Sequence, residues 1–204
     1  HTRYISVTGV QTCALPISFR ENEIGAYVVS GHQVNFNQCN FEANTQNGLY
    51  LNSASVASAI DNVVCTGCWF ENNWTSKSGA PRNAEYDVEV IGANYFTARQ
   101  CEMSQTGSAG PKNFHFQSGS LDFVLDDNTY NFFNYDTILV DSGCSGTINN
   151  WPSDKNYISY VSAAAGSTVR NMVGQRFYSF SPEVTFTDVG NLSVAYTTQV
   201  GTAS

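Results

Sequence analysis

The chain has 204 residues, with 17 acidic against 9 basic and a formal net charge of −8. That balance disfavours nucleic acid and anionic membrane surfaces as partners, since both present phosphates that such a surface repels. No run of 18 apolar residues occurs, so no transmembrane helix and no membrane insertion is expected. Only 13% of residues are charged, whereas Asn, Ser, Thr and Gly abound, which suits extended β-structure wetted by neutral polar groups.

Residues 7–18 (VTGVQTCALPIS) match, codon for codon, the translation of an indexing adapter used in short-read DNA sequencing, and His1-Thr2-Arg3 match its outer end. Residues 1–18 are therefore set aside as an adapter-derived artefact, and the native start is expected to be missing. Without Arg3 the balance is 8 basic against 17 acidic residues, a net charge of −9. Residues 19–24 (FRENEI) read as an incoming coil cut short.

From Gly25 two patterns recur. The short one is Ala26-Tyr27-Val28, then Leu49-Tyr50-Leu51, Val88-Glu89-Val90, Phe114-His115-Phe116 and Ile138-Leu139-Val140, with starts 23, 39, 26 and 24 residues apart. The longer one is Val34–Glu42, whose Val34, Cys39 and Phe41 return as Val63, Cys68, Phe70, as Phe96, Cys101, Met103 and as Phe123, Asn128, Tyr130. Two strand signals per repeat and a period in the low twenties describe a solenoid, in which each coil buries its apolar face only against its neighbours. The prediction is an all-β, right-handed parallel β-helix over residues 19–150. Turns are expected at Ser30-Gly31, Asn52-Ser53, Gly92-Ala93-Asn94 and Ser118-Gly119, and insertions at 52–60 and 73–85.

Alternation places the flanking residues of each short pattern inside and the central residue outside. Cys39, Cys68 and Cys101 hold one repeat position and should stack in the interior as small buried hydrophobes. Cys65-x-x-Cys68 has the spacing of half a zinc site or a redox pair, but no second pair and no nearby histidine accompany it, so no metal and no cofactor is assigned.

After Asn150 the pattern stops at Trp151-Pro152-Ser153-Asp154, which reads as a boundary. Residues 151–204 are expected to form a C-terminal β-rich segment, truncated at its end, with a hairpin signal around Asp188-Val189-Gly190.

With those residues in view, the coils of 25–150 resemble the pectate-lyase-type right-handed β-helix superfamily, and residues 182–202 (PEVTFTDVGNLSVAYTTQVGT) resemble the start of a small β-sandwich module that often ends phage tailspike and tail-fibre proteins. The resemblance implies a tailspike-like homotrimer on a virion tail, or an extracellular protein, that binds and often cleaves host surface polysaccharide. The Gly-His-Gly and Arg-x-Lys motifs of polygalacturonases are missing; Ser30-Gly31-His32-Gln33 does not supply them, and Asp126-Asp127 stands as an isolated carboxylate pair. An endo-acting hydrolase or lyase and a secreted bacterial β-helix adhesin remain alternatives, because function lives in the site and not in the fold.

Candidate site residues come from the outward columns. Glu42 and Glu71 share a repeat position, which puts their carboxyls about 5 Å apart, a separation at which two carboxylates can share glycosidic work. Glu102 lies one coil on, beside Trp69 and Asn40. This cluster is either a solvated strand face or a catalytic group with Trp69 as a stacking platform. A second outward column runs Tyr27, Tyr50, Glu89, His115, Leu139, offering Tyr50, Glu89 and His115 as sugar-binding residues. Arg99 over Asp126 reads as a rung-to-rung pair. The sequons at Asn73 and Asn191 read as chance.

Overall fold

The computed structural model describes residues 17–53, 60–73, 86–104, 112–131, 138–149, 160–170, 176–180 and 185–187. The strands are, in chain order, β1 (Ser18–Arg20), β2 (Ile24–Val28), β3 (Gly31–Asn37), β4 (Asn40–Glu42), β5 (Asn47–Asn52), β6 (Ile60–Thr66), β7 (Trp69–Glu71), β8 (Tyr86–Ile91), β9 (Thr97–Arg99), β10 (Glu102–Ser104), β11 (Lys112–Gln117), β12 (Phe123–Asp126), β13 (Thr129–Asn131), β14 (Ile138–Val140), β15 (Ser145–Asn149), β16 (Tyr160–Ala163), β17 (Thr168–Arg170), β18 (Arg176–Phe180) and β19 (Thr185–Thr187). They form three sheets: sheet I, β1-β4-β7-β10-β13; sheet II, β2-β5-β8-β11-β14-β16-β18; and sheet III, β3-β6-β9-β12-β15-β17-β19. Every pairing is parallel, and the chain winds through the sheets as a right-handed β-helix.

The expected register holds at each described rung. Val34 pairs with Val63, Phe41 with Phe70, Phe70 with Met103 and Met103 with Tyr130, while Ala26, Leu49, Val88, Phe114 and Ile138 form one column. Inward columns build the core, because a parallel coil can exclude water only by stacking like against like. Phe19, Phe41 and Phe70 stack with ring centroids 4.9 and 4.7 Å apart, and fully burying one such side chain contributes about 1.5–3 kcal/mol. Cys39, Cys68 and Cys101 lie buried at one position, all five described cysteines are free thiols, and Asn128 takes the next rung. Its amide replaces the thiol with two backbone bonds, accepting from Cys101 N–H and donating to Ala98 O, both at 2.9 Å.

One expectation changes. Val34–Glu42, read as a single strand, is two strands, because Gln38 turns the chain at φ 51° between β3 and β4. Gly67, Gln100 and Asp127 turn the later coils at the same place, with φ of 59°, 52° and 50°. The left-handed conformation costs a non-glycine residue about 1–2 kcal/mol. The ladder nevertheless continues through the corner: the amides of Gln38, Gly67, Gln100 and Asp127 donate to Thr66, Arg99, Asp126 and Asn149 oxygens at 2.8–3.1 Å.

The coil stack also runs past the boundary expected after Asn150. β16 pairs with β14, β17 with β15, and β18 and β19 add to the same two sheets. Trp151-Pro152 breaks the sequence pattern, but the alternation resumes at Tyr160 and the ladder with it. Thr185–Thr187, where the hairpin was expected to begin, pairs parallel with β17; the rest of the hairpin, like residues 1–16, lies outside the described residues. At the other end, Ile17 O accepts Asn40 N–H and Ser18 opens β1, so the last two residues of the set-aside segment enter the ladder.

Where sheet I turns into sheet II, the interior is polar. Asn44 donates to Phe19 O (2.9 Å) and to Asn73 Oδ1 (2.7 Å); Asn73 donates to Phe41 O (3.0 Å) and Asp87 Oδ1 (2.8 Å); Asn113 donates to Asp87 Oδ2 (2.8 Å). All four side chains are fully buried. Gly25 and Gly48 make room, since a Cβ at Gly48 would sit 2.9 Å from Asn73 Nδ2, and one at Gly25 2.9 Å from Asn44 Nδ2. Burial raises the Asp87 carboxyl to about 7, against the pull of its amide donors.

Candidate functional site

Two outer faces carry the candidate residues. On sheet I, Glu42 and Glu71 are adjacent in register, and Glu102 is adjacent to Trp69, as the repeat requires. The like charges are compensated locally. Arg20, on the preceding rung, pairs with Glu42 Oε1 at 2.7 Å, Asn40 Nδ2 donates to Glu42 Oε2 at 3.2 Å, and the Trp69 indole N–H donates to Glu71 Oε2 at 3.0 Å. Trp69 remains 36% exposed. Glu42 is therefore held in place by a cation and an amide, and Glu71 by the Trp69 indole.

On sheet II the predicted column is present: Tyr27, Tyr50, Glu89, His115 and Leu139 are successive partners. The Tyr27 and Tyr50 rings stack 4.9 Å apart and 21° from parallel. Asn52 Nδ2 donates to Tyr50 Oη at 2.8 Å, and burial, with the Glu89 charge above, raises the Tyr50 hydroxyl despite that bond. Glu89 accepts from Gln117 Nε2 at 2.6 Å and from Asn47 Nδ2 at 3.3 Å. Its carboxyl is nonetheless raised above the usual range, because partial burial outweighs both donors.

His115 departs from its expected exposure. Its side chain is 10% exposed, since the Tyr86 ring covers it at a centroid distance of 4.3 Å. Gln117 Nε2 lies 2.8 Å from His115 Nδ1, and Asp141 Oδ1 lies 3.1 Å from Nε2, off the line of a well-aligned hydrogen bond. An amide nitrogen that donates to Glu89 can only donate to His115 as well, so Nδ1 is the acceptor and the proton sits on Nε2, facing the Asp141 carboxylate. His115 is thus a covered link between Glu89 and Asp141 and not a free binding group.

Asn47, Gln117, Asp141, Tyr86 and Arg20 were not singled out in the sequence. Gln117 and Asp141 were within reach, as they sit two positions beyond the column on the same outward side of the pleat. Arg99 and Asp126 are register neighbours, but Asp126 Oδ1 accepts from Asn149 Nδ2 at 2.9 Å, and no ion pair joins the two among the described residues. Asn73 of the first sequon is buried and fully engaged by the interior ladder; the sequon at Asn191 lies outside the described residues. Among the described residues no group of His, Cys, Asp or Glu could hold a metal ion, and no helix is long and apolar enough to cross a membrane.

Comparison with family models, curated proteins and solved structures finds no match for this chain.

Proposed function

We propose that this protein is a tailspike-like, carbohydrate-binding β-helix that holds host surface polysaccharide along the outer face of sheet II, on a virion tail or otherwise outside the cell, as a homotrimer. The observation that carries the reading is the unbroken polar and aromatic row from Tyr27 through Tyr50, Glu89 and Gln117 to Asp141, which follows the solenoid axis with one rung about every 4.8 Å. A linear polymer laid along that axis meets a stacking surface and then a run of acceptors and amide donors, the mixture that fixes sugars. The net charge of −8 argues against nucleic acid on the same face.

The test is binding of the full chain to purified host capsule and lipopolysaccharide. Tyr50→Ala should weaken binding about tenfold, in line with loss of one stacking aromatic. Unchanged binding in Tyr50→Ala and Glu89→Gln together would remove sheet II as the site.

An endo-acting hydrolase or lyase is the second reading, favoured by Glu89, whose partial burial raises its hold on a proton above that of an ordinary carboxylate, and by the shared register of Glu42 and Glu71. Depolymerisation lost in Glu89→Gln would place the chemistry on sheet II; depolymerisation lost in Glu42→Gln and Glu71→Gln would place it on sheet I.

A further inference from the structure

Four successive coils pass through a left-handed residue where sheet III begins. Gln33, Asn62, Tyr95 and Asp122 hold equivalent positions there, with φ of 59°, 55°, 56° and 54°, and all four are exposed. Glycine or asparagine takes this conformation most easily, as Asn62 does, whereas a bulky side chain is an outlier in it. Tyr95 recovers little from packing, because it is 56% exposed and its hydroxyl has no partner among the described residues. Leu121, whose carbonyl oxygen accepts the Tyr95 amide at 3.0 Å, is 43% exposed. Two of the four exposed large apolar side chains among the described residues thus lie on neighbouring rungs at this corner. The adjoining column, His32-Asp61-Asn94-Leu121, gives the ledge a polar border. Asp61 accepts from Asn94 Nδ2 at 3.1 Å, and its other oxygen stands 3.1 Å from His32 Nδ1. The Asp122 carboxylate, one rung beyond Tyr95, has no hydrogen bond or ion pair among the described residues, and neither column contains a lysine or arginine.

We propose that this corner is a second glycan site, distinct from the outer face of sheet II, and that it takes a sugar bearing a protonated amino group. Tyr95 and Leu121 supply the ledge for the apolar face of the sugar, and Asp122 holds the ammonium. An exposed aromatic ring with an unpaired carboxylate one rung away attracts a cation twice, through the ring quadrupole and through charge. An anionic sugar meets no cation here except His32, which Asp61 already faces. A neutral sugar can stack on the ledge but leaves the Asp122 charge unmatched. The exposed amides of Asn62 and Gln33, on the two preceding rungs, are placed for further hydroxyls of a chain that follows the axis. A bulky residue held in a disfavoured backbone conformation without being buried is what a display function requires. That the sugar belongs to a host polysaccharide rests on the function proposed above; the attraction for an ammonium group on an aromatic ledge does not.

Calorimetry of the full chain with fully deacetylated chitohexaose, buffered where its amines are protonated, tests the site. N-acetylated chitohexaose is the neutral counterpart, and spermine is a cation without a sugar face. The deacetylated probe should bind about tenfold more tightly than either. Tyr95→Asn removes the ring but suits the left-handed backbone, so the protein should melt no lower while affinity for the deacetylated probe falls about tenfold. Asp122→Asn should lower that affinity by up to about fivefold and flatten its dependence on salt. Equal affinity for the deacetylated and N-acetylated probes overturns the choice of an amino sugar, and spermine bound as tightly as the deacetylated probe overturns the choice of a sugar. Affinity unmoved by both substitutions removes this corner as the site. Binding of host capsule or lipopolysaccharide without binding of the deacetylated probe overturns the proposal and leaves sheet II as the glycan face. Binding of the probe, lost in Tyr95→Asn, without binding of any host polysaccharide upholds the site and overturns the host-polysaccharide reading.

Discussion

Two polar rows climb this solenoid, and β8 belongs to both. The inner row, Asn44-Asn73-Asp87-Asn113, is closed to water; the outer row, Tyr50-Glu89-Gln117-His115-Asp141, is partly open. Each holds a carboxyl whose affinity for a proton is raised by burial, Asp87 and Glu89, two residues apart. Their surroundings differ in what they can do. Asp87 meets the amide donors of Asn73 and Asn113 in a closed interior, so its proton affects the fold and reaches nothing outside. Glu89 meets the Gln117 amide beside a histidine and a tyrosine shelf on the partly open outer face, so its proton lies at the surface. Isolation from solvent, more than the residue type, separates a structural carboxyl from a functional one.

The largest effect expected from this contrast is a pH dependence that belongs to the inner row. Asp87 ionises at about 7 when folded and at 3.8 in the reference state. The folded chain thus holds its proton across a window in which the unfolded chain has lost it. Stability should fall as pH rises from about 4 to about 7, by about 4 kcal/mol in total, and stay level above that. Urea denaturation from pH 4.5 to 8 measures the slope. Asp87→Asn should flatten it and stabilise the protein at pH 8, with Asn113 turning its unpartnered Oδ1 toward the new amide. A slope that survives Asp87→Asn would return the effect to the outer row.

Next in size, Asn73→Ala strands the Phe41 carbonyl and one Asp87 oxygen in a dry interior and should cost about 2–4 kcal/mol. The corresponding cut in the outer row, Glu89→Gln, should change stability by less than about 1 kcal/mol, since solvent takes over the lost bonds, while weakening polysaccharide binding. Equal destabilisation by both substitutions would erase the distinction between the rows. Smallest is Glu42→Gln on sheet I, where loss of an exposed pair with Arg20 should shift stability by under about 1 kcal/mol. A thermal melt in low and high salt would register it.

Much of this was legible in the sequence, because a parallel stack repeats its inward residues at fixed spacing: Val34, Cys39 and Phe41 gave the coil register, and Ala26 and Leu49 the second column. The inner row was not. Asn44 and Asn73 recur in the repeat, but asparagine beside an insertion reads equally as a turn, and Asn73 also carries a sequon. Asp87 shows no sign of its burial until Gly48 and the Asn73 side chain are placed against it. The corner at Gln38 escaped notice because the fold places glutamine, glycine and aspartate in left-handed conformations there in successive coils; the ladder bonds that hold them come from the next coil and leave no local mark. His115 read as exposed because Tyr86 and Asp141, which cover it, arrive from other coils.

The constant register has a kinetic side. Paired residues are separated by as few as 16 positions, from Tyr160 to Arg176, and at most by 39, from Leu49 to Val88. That separation does not grow as coils are added, so chain closure is no harder for the last rung than for the first, and order can spread along the axis one turn at a time. The single wide step is β5 to β8, where the longer intervening chain adds about 0.5 kcal/mol of closure entropy. Folding is expected to hesitate at that seam, with the amides of Val88 and Val90 gaining protection later than those of Val63 and Cys65 in pulse-labelled hydrogen exchange. Protection arriving in the reverse order would mean that the buried Asn73–Asp87 contact forms early and draws the seam closed.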